Sequence, residues 1–238
     1  MCEFIVQKEH SPGSCTWLGH DAFLFCAVVE EERQEIVTLS VRDAARLREG
    51  GFWCGLPSLL SARPDCHVAL ISTGREVRLD SLREGMAAFP PGMRGRIHLL
   101  DFLPPNAYRD LLRVSSLHLC KDISFMLPSE LLEAMSCGCV VLAPDTGAVR
   151  EVLSDGLNGF LYPSGRRMNW AMLITLLLEK RAGLSPIRRN ARKAVLGKHN
   201  KNTLLPRHIA FLMERYAHWR ARQAQPAEGK DALKPASA

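Results

Sequence analysis

Between residues 35 and 162, short apolar runs alternate with amphipathic stretches, and this alternation constrains the fold more than any other feature. Glu35–Val41 (EIVTLSV), His67–Ser72 (HVALIS), Arg96–Leu100 (RIHLL), Leu117–Cys120, Cys139–Ala143 (CVVLA) and Gly159–Tyr162 (GFLY) read as strands. Gly51–Ala62, Leu79–Phe89, Asn106–Val114, Ser129–Ser136 and Gly147–Leu153 read as the intervening helices. Strands that are apolar throughout are expected where helices cover both faces of a sheet. Strand–helix alternation at this spacing implies parallel strands joined by crossover helices. The expected fold class is therefore α/β, a Rossmann-like doubly wound parallel sheet.

From Met168 the pattern turns helical, with candidates over Met168–Arg181, Ser185–Leu196 and Asn202–Arg222. Gly183 and Gly197 punctuate them, and Pro186 suits a first helical turn. Three segments follow. Residues 1–34 contain an apolar island (Phe23–Val29) but no recognisable unit, 35–216 form the α/β domain with closing helices, and 217–238 form a tail expected to be disordered.

Composition narrows the class. A hydrophobic fraction of 47% and a charged fraction of 24% fit a globular chain. No apolar run approaches the roughly 20 residues of a membrane helix, and Met1–His10 lacks the apolar core of a signal peptide. A cytoplasmic location is expected. The eight cysteines are scattered without a CxxC pair, so they read as thiols in the core rather than a disulfide framework. Cys137-Gly138-Cys139 lacks the second ligand pair of a zinc site, and the eight histidines form no ligand-spaced cluster. No metal and no cofactor are expected. The net charge is +6, and Glu179–Arg207 carries nine Lys/Arg against one Glu. That stretch reads first as a solvated face and second as a contact for an anionic membrane surface. Aromatics do not interleave with its basic residues, which argues against nucleic acid.

In open parallel sheets, ligands sit beyond the carboxyl ends of the strands. After the first strand come Arg42, Arg46 and Arg48, then Gly50-Gly51 opening a helix, a pattern suited to phosphate. GxGxxG and GxxxxGK[ST] are both absent. After the fourth strand, Pro128-Ser129 begins a helix whose free N–H groups face the mouth of the sheet, with Ser129 as N-cap. Glu133 lies about one turn in, where a carboxylate can accept from two vicinal hydroxyls.

Three clusters in this region carry a resemblance: Leu132–Cys139 (LEAMSCGC), Asp145-Thr146 with Val149–Val152 (VREV), and Asp155–Phe160 (DGLNGF). They are similar to the C-terminal, donor-binding domain of group 1 (family 4) glycosyltransferases, which have the two-domain GT-B architecture. The resemblance extends over roughly residues 35–216. It implies transfer of a glycosyl group from a UDP- or GDP-linked sugar, with retention of configuration. Arg42 and Arg48 are then the catalytic residues that neutralise the departing diphosphate. Arg42, Arg46, Arg48, Phe125, Met126, Ser129 and Glu133 form the donor-binding set, with Glu133 holding the ribose. Phe125 stands where many members carry the first Glu of E-x7-E. The implied partners are the nucleotide-sugar, a separate acceptor domain or a second copy, and an anionic membrane at its cytoplasmic face. A non-catalytic or truncated nucleotide-sugar-binding module that needs a partner acceptor domain is the alternative.

Overall fold

A computed structural model describes residues 33–43, 47, 51–73, 79–121, 129–163 and 169–224. Six parallel strands form one sheet: β1 (Gln34–Val41), β2 (His67–Ser72), β3 (Ile97–Leu100), β4 (Ser115–Leu119), β5 (Val140–Asp145) and β6 (Phe160–Pro163). Their order is β3-β2-β1-β4-β5-β6. All five pairings are parallel, with Val37 level with Val68 on one side and with Leu117 on the other. This is the Rossmann order, and it reverses between β1 and β4.

Helices cover both faces. On one face, α1 (Phe52–Ala62), α2 (Leu79–Ala87) and, from far along the chain, α7 (Trp170–Glu179) bury Val37, Leu39, Val41, Leu117 and Leu142. Phe52 stacks on Trp170 with ring centroids 4.8 Å apart, which joins the first helix to the seventh. The short α3 (Pro91–Arg94) lies on the approach to β3. On the other face, α4 (Pro105–Val114), α5 (Ser129–Ser136), α6 (Gly147–Arg150) and α8 (Ser185–Ala194) enclose Ile71, Leu112, Val141 and Ala143. Strand alternation divides β1 cleanly: Val37, Leu39 and Val41 enter the first core, while Thr38 and Ser40 turn to the second face.

α5 is the most enclosed helix element on the site side. Seven of its eight residues are buried, including Glu130 and Glu133. It ends in a Schellman motif: Cys139 N–H donates to the Ala134 carbonyl at 2.9 Å and Gly138 N–H to the Met135 carbonyl at 3.1 Å. The motif needs a left-handed residue, and Gly138 supplies it at φ 72°. Three arginines then close this end. Arg33 donates to the carbonyls of Ser115 and Cys137, Arg188 to those of Ser116 and Gly138, and Arg192 to that of Ser136. Positive charge at a helix C-terminus suits the dipole. The solvated-face reading of 179–207 is therefore corrected at Arg188, which is buried because its guanidinium serves backbone acceptors.

The Asp155–Phe160 cluster is a staple. Asn158 accepts from Ser154 N–H at 2.7 Å and donates to the Val152 carbonyl at 2.9 Å, while Asp155 accepts from Leu161 N–H. A Cβ on Gly159 would meet Leu153 Cδ1 at 2.7 Å, so glycine is required there by close packing.

After a π turn at Val195–His199, α9 runs from Lys201 to Ala224. It extends past residue 216, so residues 217–224 are helical rather than part of an unstructured tail. From Ile209 to Arg222 every side chain is exposed among the described residues. Ile209, Leu212, Tyr216 and Trp219 recur at three- and four-residue intervals, which places them on one stripe. Cys66, Cys120, Cys137 and Cys139 are buried, as expected of core thiols, whereas Cys54 is exposed. No described helix is long and apolar enough to cross a membrane.

Candidate functional site at the strand switch point

The carboxyl ends of β1 and β4 flank the point where strand order reverses, the usual crevice for ligands in such sheets. Arg42 directly follows β1. Across the crevice stands the amino end of α5, whose described residues begin at Ser129. Arg42 and α5 meet: Arg42 Nη2 donates to Glu130 Oε2 at 2.8 Å. The Glu130 side chain is 7% exposed and that of Arg42 is 41% exposed.

Glu133, one turn further along, is also buried. A lone helical glutamate would ordinarily be a solvated surface residue. Burial of both carboxylates on an eight-residue helix departs from that, since Asp and Glu are almost never fully buried without partners.

The floor of the crevice is polar. Thr38 Oγ1 lies 2.9 Å from His118 Nδ1, and Ser40 Oγ lies 3.3 Å from the Tyr108 hydroxyl. The Tyr108 phenol is raised well above its ordinary pKa, by burial first and then by the charges of Glu133 and Glu130. Both carboxylates thus act on one hydroxyl. The His118 imidazole is lowered to about 4 by burial, with Glu130 opposing the shift. Burial also raises the Cys120 thiol, Glu130 adding to the rise and Arg42 opposing it. Tyr108 and Cys120 are therefore protonated, and His118 uncharged, at neutral pH.

Of the expected site residues, the structure brings Arg42, Ser129 and Glu133 to the same end of the sheet. Arg46, Arg48, Phe125 and Met126 lie outside the described residues, as does Gly50. Gly51 caps the start of α1 in the left-handed region at φ 66°, so the glycine that opens this helix is required by backbone conformation. Glu130, Tyr108 and His118 were not among the expected site residues. The one available signal was the period-2 placement of Thr38 and Ser40 within an otherwise apolar strand.

Beside the crevice, a shallow groove runs past the carboxyl ends of β5 and β6, lined by Asp145, Arg150, Ser154, Asp155 and Tyr162. Tyr162 donates its hydroxyl to the Cys120 carbonyl at 2.9 Å, which ties this groove to the end of β4. Among the described residues, no group of three or more His, Cys, Asp or Glu side chains is placed to hold a metal ion.

Comparison with known proteins bears on this arrangement. Residues 90–194 match the family model described as "Glycosyl transferases group 1". The match takes in Glu130 and Glu133 and begins downstream of Arg42. The chain is 30% identical over 82 residues to alpha-maltose-1-phosphate synthase of Mycobacterium tuberculosis, an alignment covering 34% of this chain and 21% of that protein. The chain thus matches about one fifth of the length of these curated relatives.

Among solved structures, it superposes on Anabaena HepE in complex with UDP-glucose with a TM-score of 0.68 at 19% identity, covering 82% of this chain and 56% of that one. It also superposes on the C-terminal domain of the group 1 glycosyl transferase LpcC from Francisella tularensis. There the TM-score is 0.62 at 21% identity, covering 76% of this chain and 99% of that domain. The chain has the Rossmann-like fold found within these two structures, and its residues 90–194 match the group 1 glycosyl transferase family model.

Proposed function

We propose that this chain is the donor-binding part of a retaining glycosyltransferase, which moves a glycosyl group from a nucleotide-sugar to an acceptor held elsewhere. The observation that carries the reading is the burial of Glu133 on a helix that opens at the switch point opposite Arg42. Glu133 accepts the two ribose hydroxyls of the nucleotide. The amino end of α5, beginning at Ser129, and the guanidinium of Arg42 receive the diphosphate. Arg46 and Arg48 add charge from the segment after β1, and Phe125 and Met126 line the donor pocket from the segment before α5. As the bond from the anomeric carbon to the diphosphate oxygen breaks, negative charge grows on the leaving group, and Arg42 with Arg48 stabilises it. The acceptor oxygen forms the new bond to the anomeric carbon and passes its proton to the departing diphosphate. The donor is a substrate, and the chemistry calls for no resident cofactor or metal.

Near-complete coverage of the LpcC C-terminal domain supports the assignment to the donor half. HepE, which shares the fold, was solved in complex with UDP-glucose, and this supports a nucleotide-sugar as ligand. The acceptor is read as sitting on a separate domain or subunit. The exposed stripe of α9 offers a surface for such a partner or for a second copy. A cytoplasmic location, with contact at an anionic membrane through the basic helices, completes the reading.

Titration calorimetry with UDP and GDP tests it. One of the two is expected to bind. Glu133→Ala and Arg42→Ala are each expected to weaken binding about 10- to 100-fold, the scale of hydrogen bonds to charged groups. Absence of binding at millimolar nucleotide, with both variants indistinguishable from wild type, overturns it.

A further inference from the structure

The proposed site contains a second buried carboxylate that the donor reading does not use. Glu130 lies in the first turn of α5, where the helix dipole already favours negative charge, and it accepts from Arg42 at 2.8 Å. The two partners differ in freedom. Glu130 is enclosed, at 7% side-chain exposure, while Arg42 reaches solvent at 41%. A carboxylate so enclosed cannot be left without a cation except at a large cost. Arg42 therefore cannot leave Glu130 outright to serve an incoming anion, and a diphosphate must share it.

We infer that Glu130 is a built-in counter-anion that competes with the diphosphate for Arg42 and holds nucleotide affinity down. The inference rests on the reading that a nucleoside diphosphate binds beside Arg42. It follows from charge: Glu130 neutralises the cation that would attract the ligand, and it places a like charge beside the phosphates. Neither Tyr108 nor His118 offsets this. Tyr108 is held in its neutral form, His118 is uncharged, and Glu133 adds a further negative charge to the same hydroxyl. A glutamate here trades affinity for release of the nucleotide product, since tight retention of the diphosphate would slow turnover.

Glu130→Gln isolates the effect, because the amide oxygen still accepts from Arg42 while the charge is gone. By calorimetry on the full chain, Glu130→Gln is expected to bind the preferred nucleoside diphosphate about tenfold more tightly than wild type, the scale of one close charge–charge interaction. Affinity for the free nucleoside, which has no phosphate, stays the same. The gain shrinks when Arg42 is already alanine. Equal or weaker diphosphate binding by Glu130→Gln overturns the inference and assigns Glu130 to holding Arg42 in place. Failure of wild type to bind either diphosphate overturns the donor reading as well, so the two failures are distinct.

Should the Gln variant not melt cooperatively, the wild-type chain carries the test alone. The Arg42 guanidinium resonance, identified by its loss in Arg42→Lys, shifts on addition of the diphosphate and not of the nucleoside. A resonance unmoved at saturating diphosphate overturns the competition for Arg42.

Discussion

α5 and α9 are opposite solutions to being a helix. α5 has eight residues, seven of them buried, and keeps two carboxylates inside the protein. α9 has 24 residues and exposes every side chain from Ile209 to Arg222. Isolated helices of eight residues do not persist in water, so α5 exists because the second core holds it and because backbone caps close its C-terminal end. α9 is long enough to approach autonomous stability and contributes little to the core. The contrast teaches that chemical groups are invested where packing fixes them. Glu130 and Glu133 keep defined positions only because Leu131, Ala134 and Met135 around them are wholly buried.

The comparison can be broken at its strong end first. Leu131→Ala removes a fully buried side chain from α5 and is expected to cost about 2–5 kcal/mol in urea unfolding. A cost below about 1 kcal/mol would mean that α5 is not held by the core.

The next effect is a pH dependence beneath the same helix. His118 is buried with its pKa lowered to about 4 from an ordinary 6.5. The unfolded chain therefore binds a proton between those values that the folded chain does not, and folding stability falls as pH drops from 6.5 to 4. The full window amounts to roughly 3 kcal/mol. His118→Asn, which keeps an acceptor near Thr38, is expected to flatten that part of the curve, and an identical slope in the variant would refute the buried neutral imidazole.

The smallest effect belongs to α9. Leu212→Ser is expected to change stability by less than about 0.5 kcal/mol, because the residue is 57% exposed. A larger loss would show that the stripe is covered by the chain itself.

Much of the scaffold was legible because both of its signals are local. Apolar runs specified the strands, and the limits of His67–Ser72 and Ser129–Ser136 agree with the structure to the residue. Pro91–Arg94 was missed because four residues carry no period. The site was legible at Arg42 and Glu133 through position after a strand and resemblance of the surrounding cluster. Glu130 was not, since a carboxylate on a helix reads as solvated until the neighbouring helices show that no water-facing side remains. Arg188 was misread for the same reason: charge is visible in a sequence, whereas the backbone carbonyls it serves come from β4 and the turn after α5.

Strand order has a consequence for synthesis. β1 is made before the other described strands, yet it lies in the middle of the sheet. Thr38 and its partner His118 are 80 residues apart in sequence. At the usual pace of roughly 5–20 residues per second, one edge of β1 waits about 4–16 s for β4 to leave the ribosome. During that wait an apolar strand with unpaired N–H and C=O groups is open to other nascent chains. The proximity of Arg42 to α5 thus cannot form until the residues of α5 have followed β4 out of the ribosome.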